Sequence, residues 1–228
     1  MDDLFAEEVQ VRTKSADLLG TQIRFVCVDE EHKQIAKYVP LVNWNSDNAI
    51  VASFDTFLKN SGKTPESSAI LEIGSGLGIP SIFIAKNYPF SRLDINEGDA
   101  TAMEFIRQNV GLNQPYPTKE INFLEFWWFA NLEHLSPEQQ SAAGRQYDLI
   151  IGSDVIYNPD SVQSMLFTIK TMLKPDGLCL LANFYSRFYK NEAQFFQRAA
   201  EFGLGVEVSK TGEKGETIQC ILRKLADQ

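Results

Sequence analysis

The sequence predicts an α/β fold: a mostly parallel sheet of seven strands closed by a C-terminal antiparallel hairpin, with helices on both faces and a small N-terminal extension. Three observations predict it. From Ser68 onward, short β-rich runs alternate with longer helical patterns, which is how βαβ units read in sequence. A glycine-rich loop directly follows the first of those runs and directly precedes a helix. The last two strand-like runs flank a Gly-containing loop short enough for an antiparallel hairpin.

The first core strand spans residues 69–73 (AILEI). The helix after it is predicted from Pro80 to about Asn87, because proline suits a first turn, where its missing N–H has no partner to lose. Residues 92–96 read as a second strand. Ala102, Phe105, Ile106 and Val110 then recur at helical spacing. Strands follow at 120–125 and 147–153. Val162, Met165, Leu166, Ile169 and Leu173 mark an amphipathic helix, ended by a turn at residues 174–177 (KPDG). A fifth strand is predicted at 178–184, a helix through Phe195, Phe196, Ala199 and Ala200, and the closing hairpin from 205–210 and 217–223.

Two regions lie outside this alternation. Residues 1–60 form an N-terminal extension packing on the core, with a strand at 22–28 and a helix at about 47–58. Residues 61–228 form the ligand-binding domain. Between the third and fourth core strands, residues 128–146 are an insert. Its SPEQ run, Ser136 to Gln139, has the form of a capping box with proline at the first helical position, so a short helix is predicted at the rim.

The 228 residues suit one domain with an extension. Lys and Arg number 21 against 30 Asp and Glu, a formal net charge of −9. A nucleic-acid-binding protein ordinarily carries a basic stripe, since neutralised phosphates supply most of its affinity, and no Lys/Arg cluster of that kind is present. No apolar run reaches the roughly 18 residues of a membrane span, and the acidic start lacks the order of a secretory signal. Three widely spaced cysteines (Cys27, Cys179, Cys220) suit reduced thiols. A cytoplasmic location is expected. Neither His32 nor His134 sits in a metal-ligand spacing, so no metal site is predicted.

The chemistry concentrates in residues 71–80 (LEIGSGLGIP). Gly74, Gly76 and Gly78 form GxGxG, and glycines let the backbone turn sharply and approach a ligand closely. A dinucleotide fingerprint would put its third glycine at position 79, where Ile79 stands. Glu72, two residues before the first glycine, is awkward beside a pyrophosphate but suits a ligand carrying an ammonium and a sulfonium. Together these features point to S-adenosylmethionine, with Ser75 inside the binding loop. An acid about 20 residues beyond such a loop accepts hydrogen bonds from ribose hydroxyls. Glu97 stands there, and Asp99 behind it either joins it or caps the next helix. At the end of the fourth core strand, Gly152, Ser153 and Asp154 fall where an open α/β sheet places its crevice. Asp154 there reads as functional or as a helix cap.

These residues carry a resemblance. LEIGSGLGIPS, INEGDATAM, and YDLIIGSDVIY followed by LKPDG are similar to the seven-strand, Rossmann-like protein lysine methyltransferases that carry a DxxY signature, here Asp154 to Tyr157. The similarity covers roughly residues 40–225. It implies S-adenosyl-L-methionine as cofactor and transfer of a methyl group to a lysine of a protein substrate, by a monomer without nucleic acid or membrane partners. It further implies that Trp44 matches the family's N-terminal tryptophan and that Trp127 lies beside the adenine, with Glu125 as a weaker companion. Ser153 would serve the cofactor, Asp154 the acceptor amine, the cofactor or the loop, and Tyr157 the channel wall. The aromatic run Phe184 to Tyr189 falls where an acceptor channel would form. A small-molecule methyltransferase, a non-catalytic partner-binding module and a nicotinamide oxidoreductase are the competing readings, the last disfavoured by Ile79.

Overall fold

The apolar runs at 69–72 and 147–153 are nearly continuous rather than alternating, which is the composition of strands covered on both faces. In the computed structural model they become β3 (Ala69–Glu72) and β6 (Tyr147–Ser153), paired in parallel at the centre of a seven-stranded sheet. The structure describes residues 11–28, 40–41, 46–211 and 216–226. On one side of this pair lie β4 (Arg92–Glu97) and β5 (Ile121–Glu125), and on the other β7 (Leu173–Phe184), β9 (Thr217–Lys224) and β8 (Leu204–Thr211). The sheet order is β5-β4-β3-β6-β7-β9-β8. The first five strands run parallel, and β9 pairs antiparallel with both β7 and β8. The mostly parallel, hairpin-closed sheet predicted above is the one found.

This order positions the site. The chain leaves β3 through α2 (Ile79–Asn87) towards β4, and leaves β6 through α5 (Pro159–Met172) towards β7. Neighbouring strands whose connections depart in opposite directions leave a crevice beyond their carboxyl ends. One apolar layer, including Ile50, Phe54, Ile82, Ile106 and Leu180, packs α1 (Ser46–Ser61), α2 and α3 (Ala100–Leu112) against one face. A second, including Val162, Leu166, Ile169, Phe195 and Leu181, packs α5 and α7 (Glu192–Glu201) against the other. Between β5 and β6 the predicted rim helix is present as α4 (Pro137–Ala143), with both hydrogen bonds of the Ser136/Gln139 capping box made. Among the described residues, no helix is long and apolar enough to cross a membrane.

Several elements differ from the prediction. The 174–177 turn does not separate helix from strand. Leu173 already pairs with Tyr147, and pairing resumes at Leu178 with Leu149, so the turn loops out within β7. After β7 the aromatic run forms a short helix, α6 (Tyr185–Phe188). The strand predicted at 22–28 is β2 (Thr21–Val28), and it pairs with β1 (Val11–Leu18) in a separate antiparallel ribbon.

That ribbon is tied to the core by two amides one turn apart, Asn109 on α3 and Asn113 at its C-terminal cap. Asn109 Oδ1 accepts from Val26 N at 2.7 Å, and its Nδ2 donates to Val26 O and to Leu77 O in the glycine loop. Asn113 repeats the exchange with both backbone groups of Arg24. Asn109 is fully buried, so truncating it strands three backbone groups without partners. Asn109→Ala is therefore expected to cost about 2 kcal/mol or more, read as a lower urea midpoint at unchanged slope.

Candidate functional site

At the tip of β3 the backbone enters the left-handed region at Gly74 (φ 59°) and Gly76 (φ 55°), where a Cβ is strained. Space adds a second constraint. A Cβ on Gly74 would meet the Trp128 ring at 2.9 Å and Val155 at 3.1 Å, and one on Gly76 would lie 3.2 Å from the carbonyl oxygen of Pro40. Both glycines line a cleft of about 300 Å³ at the carboxyl ends of β3, β4 and β6.

Glu97, at the tip of β4, organises one wall. Its Oε2 accepts from Gly76 N at 3.0 Å, and its Oε1 from Gly98 N at 2.7 Å and Asp99 N at 3.1 Å. Burial raises its carboxyl above the usual range, against these three hydrogen bonds, which favour the ionised form. Asp99 lines the cleft and also caps α3 by accepting from Ala102 N, so both roles open to it in the sequence are compatible. Next to Glu97, Asn96 donates to the carbonyls of Leu124 and Phe126 and accepts from Trp128 Nε1 at 3.1 Å. This fully buried amide fixes where the chain leaves β5. Trp127 and Trp128 consequently both line the cleft. Trp128 stands behind Gly74, while Trp127 is 68% exposed and lies over Gly98.

The opposite wall comes from the segment after β6. Asp154 is buried with φ 54°, a region where Asp is better tolerated than most side chains. Its Oδ1 accepts from Phe184 N at 3.2 Å and its Oδ2 from Arg187 Nη1 at 2.5 Å. Burial raises its carboxyl, opposed by the Arg187 charge. Asp154 does not cap the next helix; Asn158 does, through Asp160 N. Ser153, Tyr157, Asn158 and Arg187 also line the cleft, with Tyr157 half exposed at its mouth.

Of the residues singled out in the sequence, the fold brings Gly74, Gly76, Glu97, Asp99, Trp127, Ser153, Asp154 and Tyr157 to this one cleft. Glu125, at the end of β5, is not on its surface, and neither are Glu72, Ser75 and Gly78. Glu72 points along the strand to α2, accepting from Ser81 N at 3.1 Å and from the Ser81 hydroxyl, and burial pushes it up to about 8. Ser75 turns back to donate to the carbonyl oxygen of Asn96. Gly78 starts α2 in the left-handed conformation. Trp44 lies outside the described residues.

Three residues at or beside the cleft were not singled out. Trp128 carried no separate signal, because both tryptophans lie beyond the end of β5, where strand alternation no longer tells which side each faces. Arg187 carried no signal beyond its place in the aromatic run. Asp47, in the first turn of α1, reads in sequence as an ordinary complement to the helix dipole. Its carboxyl is instead hydrogen-bonded by Ser153, feels the charge of Asp154, and is pushed up by burial to about 7.

The profile of a family described as lysine methyltransferase matches residues 27–202. The mouse protein N-lysine methyltransferase METTL21A is 30% identical over 145 residues, 63% of this chain and 60% of that protein. The Yarrowia lipolytica protein N-terminal and lysine N-methyltransferase EFM7 is 23% identical over 168 residues, 68% of this chain and 62% of that protein. The chain thus spans about three fifths of the length of these curated relatives. Among solved structures, the ribosomal protein L11 methylase of Lactobacillus delbrueckii subsp. bulgaricus superposes with TM-score 0.57 at 16% identity, covering 81% of this chain and 80% of that one.

Proposed function

Since the chain belongs to the lysine methyltransferase family, we propose that it uses S-adenosylmethionine to methylate a lysine side chain of a protein. The composition of the cleft supports this assignment. The Gly74 and Gly76 backbone leaves room for a ligand, a carboxylate that suits ribose hydroxyls stands at the tip of β4, and aromatic rings beside it suit an adenine. The other end is lined by Asp154, Tyr157 and Arg187 and opens to solvent past Tyr157.

When bound, S-adenosylmethionine supplies a methyl group already activated by its sulfonium. The chain's own residues then orient and desolvate the acceptor. A lysine attacks only as the free amine, and its ordinary value of about 10.4 leaves it protonated at neutral pH. Burial behind Tyr157 favours the neutral amine, and the Asp154–Arg187 pair stands at the same end of the cleft. With the donor bound, the neutral amine would take the methyl group, leaving the donor as a thioether, and the product ammonium would pass its proton to solvent. Burial keeps the Tyr157 hydroxyl protonated and therefore able to hydrogen-bond the amine.

Calorimetric titration with S-adenosylmethionine, S-adenosylhomocysteine and NAD, followed by labelled-methyl transfer onto cell proteins, tests the assignment. Adenosyl binding with label recovered as methyl-lysine is expected. Label confined to metabolites, or NAD binding alone, overturns it. Asp154→Asn keeps an acceptor for Phe184 N but loses the charge that holds Arg187. It is expected to lower kcat by about tenfold to a hundredfold while S-adenosylhomocysteine affinity stays within about threefold.

A further inference from the structure

Near the end of β7 a fully buried amide, Asn183, interrupts an apolar strand. The alternate positions before it, Cys179 and Leu181, face the layer packed with α5 and α7. Asn183 Oδ1 accepts from Ile156 N at 3.0 Å. Because Ile156 N is a donor, the amide oxygen must be the atom turned towards it. Nδ2 is then left, among the described residues, without a hydrogen-bond partner. A buried donor in that state calls for a reason beyond packing.

Stability does not supply the reason. An apolar residue at 183 would remove one orphan donor and create another, the N–H of the equally buried Ile156. The amide therefore brings little net stability, and what it does bring is a fixed position for the Ile156 peptide. On one side of that peptide, Asp154 has anchors of its own. Its N donates to Ala182 O at 2.7 Å, and its carboxyl is engaged by Phe184 N and Arg187. On the other side, Asn158 is secured at the start of α5 by Asp160 N on its side chain and Ser161 N on its carbonyl. Tyr157 sits between them, half exposed, so packing restrains its ring less than it restrains the buried Ile156 beside it. Its direction is inherited from the backbone that the Asn183 hydrogen bond holds.

We propose that Asn183 is a positioning residue for methyl transfer, which acts through the Ile156 peptide to set the Tyr157 hydroxyl at the acceptor end of the cleft. This rests on the lysine methyltransferase reading, in which Tyr157 touches the acceptor amine, and extends it to a side chain off the cleft surface. The end of β7 then serves the acceptor twice, by anchoring Asp154 and by holding Ile156.

A double-mutant cycle with Tyr157 tests it. The readout is the initial rate of labelled-methyl transfer to a fixed amount of cell protein at saturating S-adenosylmethionine. Asn183→Leu matches the buried shape and releases Ile156 N, whereas Asn183→Asp keeps an acceptor oxygen for it. Asn183→Leu is expected to lower the rate about tenfold, with S-adenosylhomocysteine affinity within about twofold and a thermal midpoint within about 3 °C of wild type. Asn183→Asp should stay within about threefold of the wild-type rate. In a Tyr157→Phe background, Asn183→Leu should cost less than about twofold more, because the hydroxyl it positions is gone. Full additivity in the cycle, an unchanged rate in Asn183→Leu, or equal losses in both Asn183 variants overturns the proposal. So does a rate loss that only parallels lost affinity and a lowered midpoint, which marks Asn183 as structural. If Asn183→Leu does not fold, Asn183→Ala takes its place in the cycle. Wild-type protein that binds S-adenosylhomocysteine but transfers no label to protein refutes the lysine methyltransferase reading itself, which is a separate result.

Discussion

Glu97→Ala is expected to weaken S-adenosylhomocysteine binding by at least about 30-fold, on the order of 2 kcal/mol. Two losses add. Hydrogen bonds from ribose hydroxyls to an ionised carboxylate are each worth about 1.5–3 kcal/mol. The same carboxylate also ties the glycine loop to the β4 tip through Gly76, Gly98 and Asp99. A carboxylate offers about four lone-pair directions, so the three backbone contacts leave capacity for a ligand hydroxyl. Glu97→Gln separates the two contributions. Its amide retains one acceptor oxygen but turns an N–H₂ towards backbone donors, so an affinity between wild type and Glu97→Ala is expected. Calorimetry measures all three proteins, and unchanged affinity in Glu97→Ala removes the carboxylate from the nucleoside site.

Asp94→Ala is expected to cost about 3–5 kcal/mol of stability, because it removes one partner from a buried ionic network. Asp94 is fully buried in the middle of β4. Its carboxylate accepts from Arg145 Nη1 at 2.8 Å, from the Tyr147 hydroxyl at 2.5 Å and from Asn122 Nδ2 at 2.8 Å, and Arg92 Nε lies 3.3 Å away. Arg92 Nε has no hydrogen-bond partner of its own, so the Asp94 charge is what compensates it. Removal leaves the buried Tyr147 hydroxyl and two guanidinium groups uncompensated. Chemical denaturation measures the loss. Protein that remains folded should bind S-adenosylhomocysteine within about twofold of wild type, because Arg145 and Tyr147 lie at the start of β6, away from the strand tips that form the cleft. A loss of affinity matching that of Glu97→Ala contradicts this separation of stability from binding.

How far the site could be read from the chain depended on how locally each feature is encoded. The glycine loop was legible because an apolar strand, GxGxG and Pro80 lie within about a dozen residues. The Ser136/Gln139 capping box was legible for the same reason. Glu97 followed from a fixed spacing after that loop. β1 was not, since VRTKSADL is largely exposed and lacks the apolar alternation of a half-buried strand. That Trp128 joins Trp127 at the cleft depends on Asn96, a residue about 30 positions earlier that clamps the exit from β5.

Glu72 shows the limit most clearly. Its place beside the glycines suggested a ligand contact, but the β3 pleat and the Ser81 hydroxyl direct it into the start of α2. Asp47, more than 20 residues earlier and in a different element, lies beside the cleft wall instead. By itself the sequence determined the alternating elements, their helix starts, the glycine loop and the acid that follows it, because periodicity and turn chemistry act over a few residues. Only the tertiary structure decided which acids face the cleft and that Arg187 engages Asp154. Those contacts join residues brought together by the strand order, which leaves no trace in the local pattern.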